Sequence, residues 1–302
     1  MIEEKKQSLK HRIAKFHDKN YKILLLIPVI ILVFSFAYMA VFYSNNGDFV
    51  HKDFSLTGGT SITIIGDINA DELKNTLSEK LNELNTREIY DLTTRDQTAL
   101  IVQTTTNSDE AEEILEEYLG YKLTGENSSF EFISPTLGEN FYKGLLISIS
   151  IAFVFMALIV FILFRNLTPS AAVIISAFAD IFMTLTLVNL LGIKLSSAGL
   201  VAFLMLIGYS VDTDILLTSK ILKRHDNPLN ERFFSAFKTG ITMTVTSLLA
   251  VIFALVVATS FSVVLTQIFM ILAIGLGFDI LNTWITNASL LKWYIKSKEG
   301  AK

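Results

Sequence analysis

Four aspartates stand where the surrounding sequence is almost wholly apolar: Asp180, Asp212, Asp214 and Asp279. A carboxyl sheltered from water either finds hydrogen bonds that satisfy it or changes its charge as the protein works. The chemistry such residues offer is the gain and loss of a proton, with the repacking that an unpaired charge forces on neighbouring helices. The bland alternative is an acid that serves only as a helix–helix hydrogen-bonder. Lys238, just before another apolar stretch, is the nearest candidate cation for Asp212. Small and polar residues accompany the acids. Gly275, Asp279, Asn282, Thr283 and Thr286 fall on one helical face, Thr239, Thr242 and Thr246 recur at spacings of three and four, and Gly208 lies one turn before Asp212. Such stripes mark faces where helices approach closely and hydroxyls bond across. Asp212 and Asp214, two residues apart, cannot share a helical face.

The elements that hold these residues follow from composition. Of 302 residues, 51% are hydrophobic and 18% charged, with a mean hydropathy of +0.50. Soluble domains carry roughly 25% charged residues, so the chain reads as an integral membrane protein. The absence of cysteine excludes disulfides, thiol nucleophiles and Cys-ligated metals. His11, His17, His51 and His225 lie too far apart to give a metal-ligand spacing, so no metal site and no cofactor is expected. A formal charge of −4 argues against a nucleic-acid partner.

Six stretches meet the roughly 20 apolar residues that a bilayer requires: 23–43, 144–164, 171–191, 198–219, 240–261 and 265–291. The first is too long for a cleaved signal and reads as a retained anchor. Residues 44–141 hold 19 acids and 6 bases, whereas the rest of the chain holds 10 acids and 19 bases. Seventeen of the 25 Lys and Arg fall on the side of the termini, which places both termini in the cytoplasm and the acidic segment outside. The predicted organisation is a basic segment at 1–22, a first span at 23–43, an external domain at 44–141, five spans within 142–291 with a cytoplasmic loop at 220–238, and a cytoplasmic tail at 292–302. Leu9, Ile13 and Phe16, and likewise Leu229, Phe233 and Phe237, recur at helical spacing and predict amphipathic helices on the cytoplasmic lipid surface.

The external segment alternates strand and helix periodicity. Strands are expected at 60–65, 87–92, 99–104 and 130–133, and helices at 70–84 and from an N-cap at Ser108 to Tyr118. The order βαββαβ predicts an α+β, ferredoxin-like sandwich carried by an α-helical six-span membrane protein. This domain has no catalytic constellation: its acids read as a solvated surface, and the alternative is an extended, unfolded polypeptide adding to a sheet edge. Asp53-Phe54-Ser55-Leu56-Thr57-Gly58-Gly59-Thr60 precedes the first strand, and its two glycines predict a tight turn.

Three motifs carry a resemblance. Gly208-Tyr209-Ser210-Val211-Asp212-Thr213-Asp214, Asp53-Phe54 with Gly58-Gly59-Thr60, and Lys238-Thr239-Gly240-Ile241-Thr242 occur in the order found in the SecD/SecF protein-export membrane proteins. The chain is similar to the archaeal-type SecF branch of that family, because SecD members have a longer external region. The resemblance implies an accessory subunit of the Sec machinery in the cell membrane. Its partners would be SecD, the translocon channel, unfolded secretory polypeptide and membrane lipid, in a bundle akin to resistance-nodulation-division transporters. It also implies proton movement through intramembrane acids, with Asp212 in the place of the fourth-span acid and Lys238 in that of a basic residue. An intramembrane aspartyl protease is a poor match, since Gly275-Leu276-Gly277-Phe278-Asp279 has one residue too many for Gly-x-Gly-Asp and a Tyr-Asp pair is absent, so no enzymatic role is expected. A half-size exporter of small molecules or lipids is the stronger alternative.

Overall fold

A computed structural model of the chain describes residues 20–91, 93–223 and 228–299. Among them, six helices are long and apolar enough to cross a membrane. They are α1 (Leu26–Asn46), α5 (Pro135–Phe164), α6 (Leu167–Leu190), α7 (Ser197–Lys223), α8 (Leu229–Ala258) and α9 (Val263–Leu281), the last running through a π-helical segment (Asn282–Asn287) into α10 (Ala288–Glu299). The expected basic helix around Leu9, Ile13 and Phe16 lies outside the described residues.

Between α1 and α5 lie a short helix α2 (Phe54–Thr57), β1 (Gly59–Ile65), α3 (Ala70–Leu77), β2 (Asn85–Tyr90), β3 (Gln97–Thr104), α4 (Ser108–Leu119) and β4 (Ser128–Ile133). The strands form one antiparallel sheet in the order β2-β3-β1-β4, with Ile62 opposite Val102 on one side and Phe130 on the other. Alternation sends Ile62, Ile64, Leu100 and Val102 to one face, where Leu73, Leu77, Ala111 and Leu115 cover them. The opposite face is largely polar.

Three local expectations are corrected. The first external helix ends at Leu77, not Leu84, because the chain must turn back into β2. Leu81 stays buried from within that turn, and the Asn82 carbonyl accepts hydrogen bonds from the Thr105 amide at 3.1 Å and the Thr104 hydroxyl at 2.7 Å. Asn107, not Ser108, caps α4, with extended backbone and a carbonyl that accepts from the Ala111 amide. Leu229, Phe233 and Phe237 do not form a separate surface helix: they are the first turns of α8, and Phe233 is buried against Trp284. Gly240 makes that packing possible, since a Cβ there would lie 2.4 Å from the Trp284 ring.

The last span also runs further than expected. Lys292, assigned to the tail from sequence, is fully buried in α10 with its ammonium 4.3 Å from the centre of the Phe233 ring. Its four-carbon stem suits an apolar surround and its head suits the π face.

Candidate functional site

Asp180 on α6, Asp214 on α7 and Asp279 on α9 are each 0% exposed. Helical spacing explains how their partners reach them. Ser176 stands one turn before Asp180 on α6, and Ser210 one turn before Asp214 on α7. Each serine then bonds across the helix pair: the Ser210 hydroxyl donates to Asp180, and the Ser176 hydroxyl donates to Asp214 at 3.2 Å. Gly275 keeps α9 close to α7, because a Cβ there would meet Leu206 at 2.5 Å.

The π-helical segment touches all three acids. Asn282 donates to Asp180 at 2.7 Å, Thr283 to Asp279 at 3.1 Å and Asn287 to Asp214 at 2.8 Å. A π turn holds an extra residue, and such turns concentrate at functional positions. From α8 the Thr244 hydroxyl donates to Asp279 at 3.3 Å. Asp214 Oδ2 and Asn287 Oδ1 are buried oxygens without a hydrogen-bond partner among the described residues.

Thr213 occupies a decisive place. Its single hydroxyl lies 2.9 Å from the Ser210 carbonyl and 3.0 and 3.2 Å from the two Asp279 oxygens. One proton cannot serve both acceptors fully. With Asp279 ionised, Thr213 donates to the carboxylate. With Asp279 neutral, the acid donates to Thr213, which turns its own proton to the Ser210 carbonyl. The direction of this hydrogen-bond chain therefore depends on the charge of Asp279.

Sequence residues sort into two groups. Asp180, Asp214, Asp279, Asn282, Thr283 and Thr286 come together, with Thr286 donating to Asn282 at 3.0 Å. Asp212, on the opposite side of α7, is exposed, as are Gly208 and Tyr209 on that helix and Lys238, Thr239, Thr242 and Thr246 on α8. Asp212 and Lys238 form no ion pair with each other. The Thr242 and Thr246 hydroxyls bond back to their own helix, whereas Lys220 donates to Thr239 at 2.8 Å. Sequence reasoning missed Ser176, Ser210, Thr213, Thr244 and Asn287 as site residues. The four-residue spacing of Ser176 from Asp180 was the available signal.

The Asp53–Thr60 motif forms a seam between the sheet and the membrane helices. The Asp53 amide donates to the Leu195 carbonyl at 2.9 Å, the Leu195 amide donates to His51, and the Ser197 amide donates to Ser55 Oγ at 3.0 Å. Leu56, Tyr142, Leu195 and Phe203 share one core beneath it. Gly58 and Gly59 have φ of +83° and +145°, so the expected glycine turn is present, following the one-turn helix α2. Thr60 secures the start of β1 by donating to the Thr106 carbonyl at 2.8 Å.

Burial pushes the Asp53 carboxyl above its ordinary value of 3.8, against the opposing pull of the Phe54 amide and the Lys194 charge. The fold therefore favours the neutral form. That contribution is present below the unfolded value and is lost as pH rises through the folded one. Asp53→Asn is expected to match the parent's thermal stability near pH 4 and to exceed it at pH 7. Parallel pH profiles for the two proteins would contradict this.

A family model described as "Protein export membrane protein SecD/SecF, C-terminal" matches residues 114–297. The chain is 37% identical over 289 residues to the protein-export membrane protein SecF of Methanocaldococcus jannaschii, covering 94% of this chain and 99% of that one. It is 38% identical to the SecF of Methanothermobacter thermautotrophicus, covering 92% and 94%, and 33% identical to that of Pyrococcus furiosus, covering 97% of each. The crystal structure of SecDF, a translocon-associated membrane protein from Thermus thermophilus, superposes with a TM-score of 0.72 at 18% identity. That likeness covers 92% of this chain and 38% of the longer SecDF chain, and it is one of fold.

Proposed function

The chain belongs to the SecD/SecF family of protein-export membrane proteins, and on that premise we propose that it is an accessory subunit of the Sec machinery that acts with SecD beside the translocation channel. Its work is conformational and not catalytic. Proton exchange at the buried acids repacks α6, α7 and α9, and the seam at Asp53–Thr60 passes that movement to the external domain. The observation that carries this reading is the network in which Asp180, Asp214 and Asp279 are held by hydroxyls and amides from four different segments. A charge formed there lacks bulk water to screen it, so the helices must move to hydrate or pair it.

The strand order β2-β3-β1-β4, with α3 and α4 on one face, supports a ferredoxin-like sandwich for the external unit at 44–141. The excess of Lys and Arg beside the termini supports cytoplasmic ends and an acidic domain outside.

Asp212 supports the partnership with SecD. A carboxyl exposed to hydrocarbon at a helix centre costs about 2.5–3.5 kcal/mol on insertion scales, so a second membrane protein with a polar group is the fitting cover for this face. Asp212→Leu is expected to weaken co-purification with SecD about fivefold, because SecD is left with an unpaired polar group. Undiminished recovery would separate Asp212 from the interface. The role itself is tested by translocation of a secretory precursor into vesicles with and without this chain: restoration supports it, and equal translocation removes it.

A further inference from the structure

The polar face of the sheet turns toward the membrane helices and is half open to solvent. Beneath it lies a cleft of about 720 Å³ whose other wall is the α6–α7 loop and the start of α9. This volume falls within the range of about 300–1,000 Å³ typical of ligand sites. The roof supplies Ser61 and Thr63 from β1, Arg87 from β2, Gln103 from β3 and Glu131 from β4. The floor supplies Lys194 and Ser196 with the apolar side chains of Ile193, Phe261, Val264 and Met270.

Two properties of this lining select its occupant. The charges balance, with Arg87 and Lys194 against Asp53 and Glu131, so a polyanion would meet two acids as well as two bases. The hydroxyls of Ser61 and Thr63 make no side-chain hydrogen bond to the described residues, and they can donate or accept. Neutral groups of both kinds beside apolar side chains, Ile89 and Ile101 on the roof and Phe261, Val264 and Met270 on the floor, match a peptide backbone with side chains of mixed character. They do not match the single charge of a lipid phosphate.

We propose that this cleft holds an extended segment of the exported polypeptide, gripped through its backbone between the sheet face and the outer membrane surface. The inference rests on the export function above and gives the client a place. It differs from strand addition in using the face of the sheet and leaving both edges free. A client held there touches the α6–α7 loop, whose two helices carry Asp180 and Asp214. Binding and proton exchange then act on one hairpin.

The test is photo-cross-linking in vesicles containing the full chain, SecD and the channel. A benzophenone residue replaces Thr63 in the cleft or Glu112 on the opposite, helix-covered side, and a radiolabelled precursor is stalled during translocation. Precursor adducts at least fivefold stronger from position 63 are expected. Equal adducts from the two positions, or adducts from position 63 with labelled phospholipid alone, overturn the inference. Vesicles lacking the chain separate the two levels. If translocation needs the chain but position 63 captures no precursor, only the cleft assignment falls. If translocation does not need the chain, the export function falls and the cleft assignment goes with it.

Discussion

Asp279→Asn is expected to reduce precursor translocation at least tenfold while leaving membrane insertion, folding and association with SecD unchanged. The carboxamide has nearly the shape of the neutral acid. Its NH2, in the place of one carboxylate oxygen, donates to Thr213 as the protonated carboxyl would and turns Thr244, 3.3 Å from that oxygen, into an acceptor, while its own oxygen, in the place of the other, accepts from Thr283 at 3.1 Å. Both ends of the carboxamide keep a hydrogen-bond partner, so the variant holds one end of the cycle permanently. A tenfold loss corresponds to about 1.4 kcal/mol in a rate-limiting barrier. Asp279→Leu separates this from a packing effect. It removes the acceptor for three buried hydroxyls and is expected to lower stability by about 1–3 kcal/mol as well as activity. Wild-type translocation by Asp279→Asn would show that charge change at this residue is dispensable.

The second large effect is mechanical. Gly58→Val is expected to destabilise the junction between the sheet and the membrane helices by about 3 kcal/mol, at the upper end of overpacking costs. A Cβ on Gly58 would lie 2.4 Å from Pro135 Cα and 2.9 Å from the Ser134 carbonyl carbon, and backbone at the head of α5 cannot move aside as a side chain does. Gly138, which would place a Cβ 2.7 Å from the Gly58 nitrogen, seals the same crossing from the other side. Gly47→Ala is the control. Its φ of +71° is similarly strained, but nothing lies within 4 Å of the added carbon, so only about 1 kcal/mol is expected. Limited proteolysis in detergent reads the difference as cleavage between β4 and α5 in Gly58→Val alone. Equal protease resistance in the two variants would remove the close crossing from the account.

Much of this was legible in the residues. Apolar runs long enough for a bilayer declare themselves without context, and the six helices fall where those runs do. The strands were legible because one sheet face is covered and alternation records it. The acids were legible because charge is costly where they stand.

Which side of α7 turns inward was not. Asp212 and Asp214 are equivalent to any pattern rule, and only packing against α6 and the π-helical segment buries Asp214. The π turn itself left no signal. It adds a residue to one turn, so a wheel drawn at 3.6 residues loses phase after Asn282, and Asn287 was not seen as a partner of Asp214. The threonine stripe on α8 misled for a different reason. Thr242 and Thr246 satisfy themselves on their own carbonyls, and it is Thr244, off that stripe, that reaches Asp279.

The bond pair at Leu195 has a consequence for leverage. α6 and α7 are the two arms of one hairpin, the acids sit partway along those arms, and the tip is the point at which His51 and Asp53 hold on. From Asp180 to the end of α6 at Leu190 is ten residues, or about 15 Å of rigid rod. Pivoting that rod by 10° at the acids sweeps its tip by about 3 Å. On the proposed function, a displacement of atomic size at a carboxyl would become a stroke comparable to one residue of extended chain, delivered where a threading polymer would feel it.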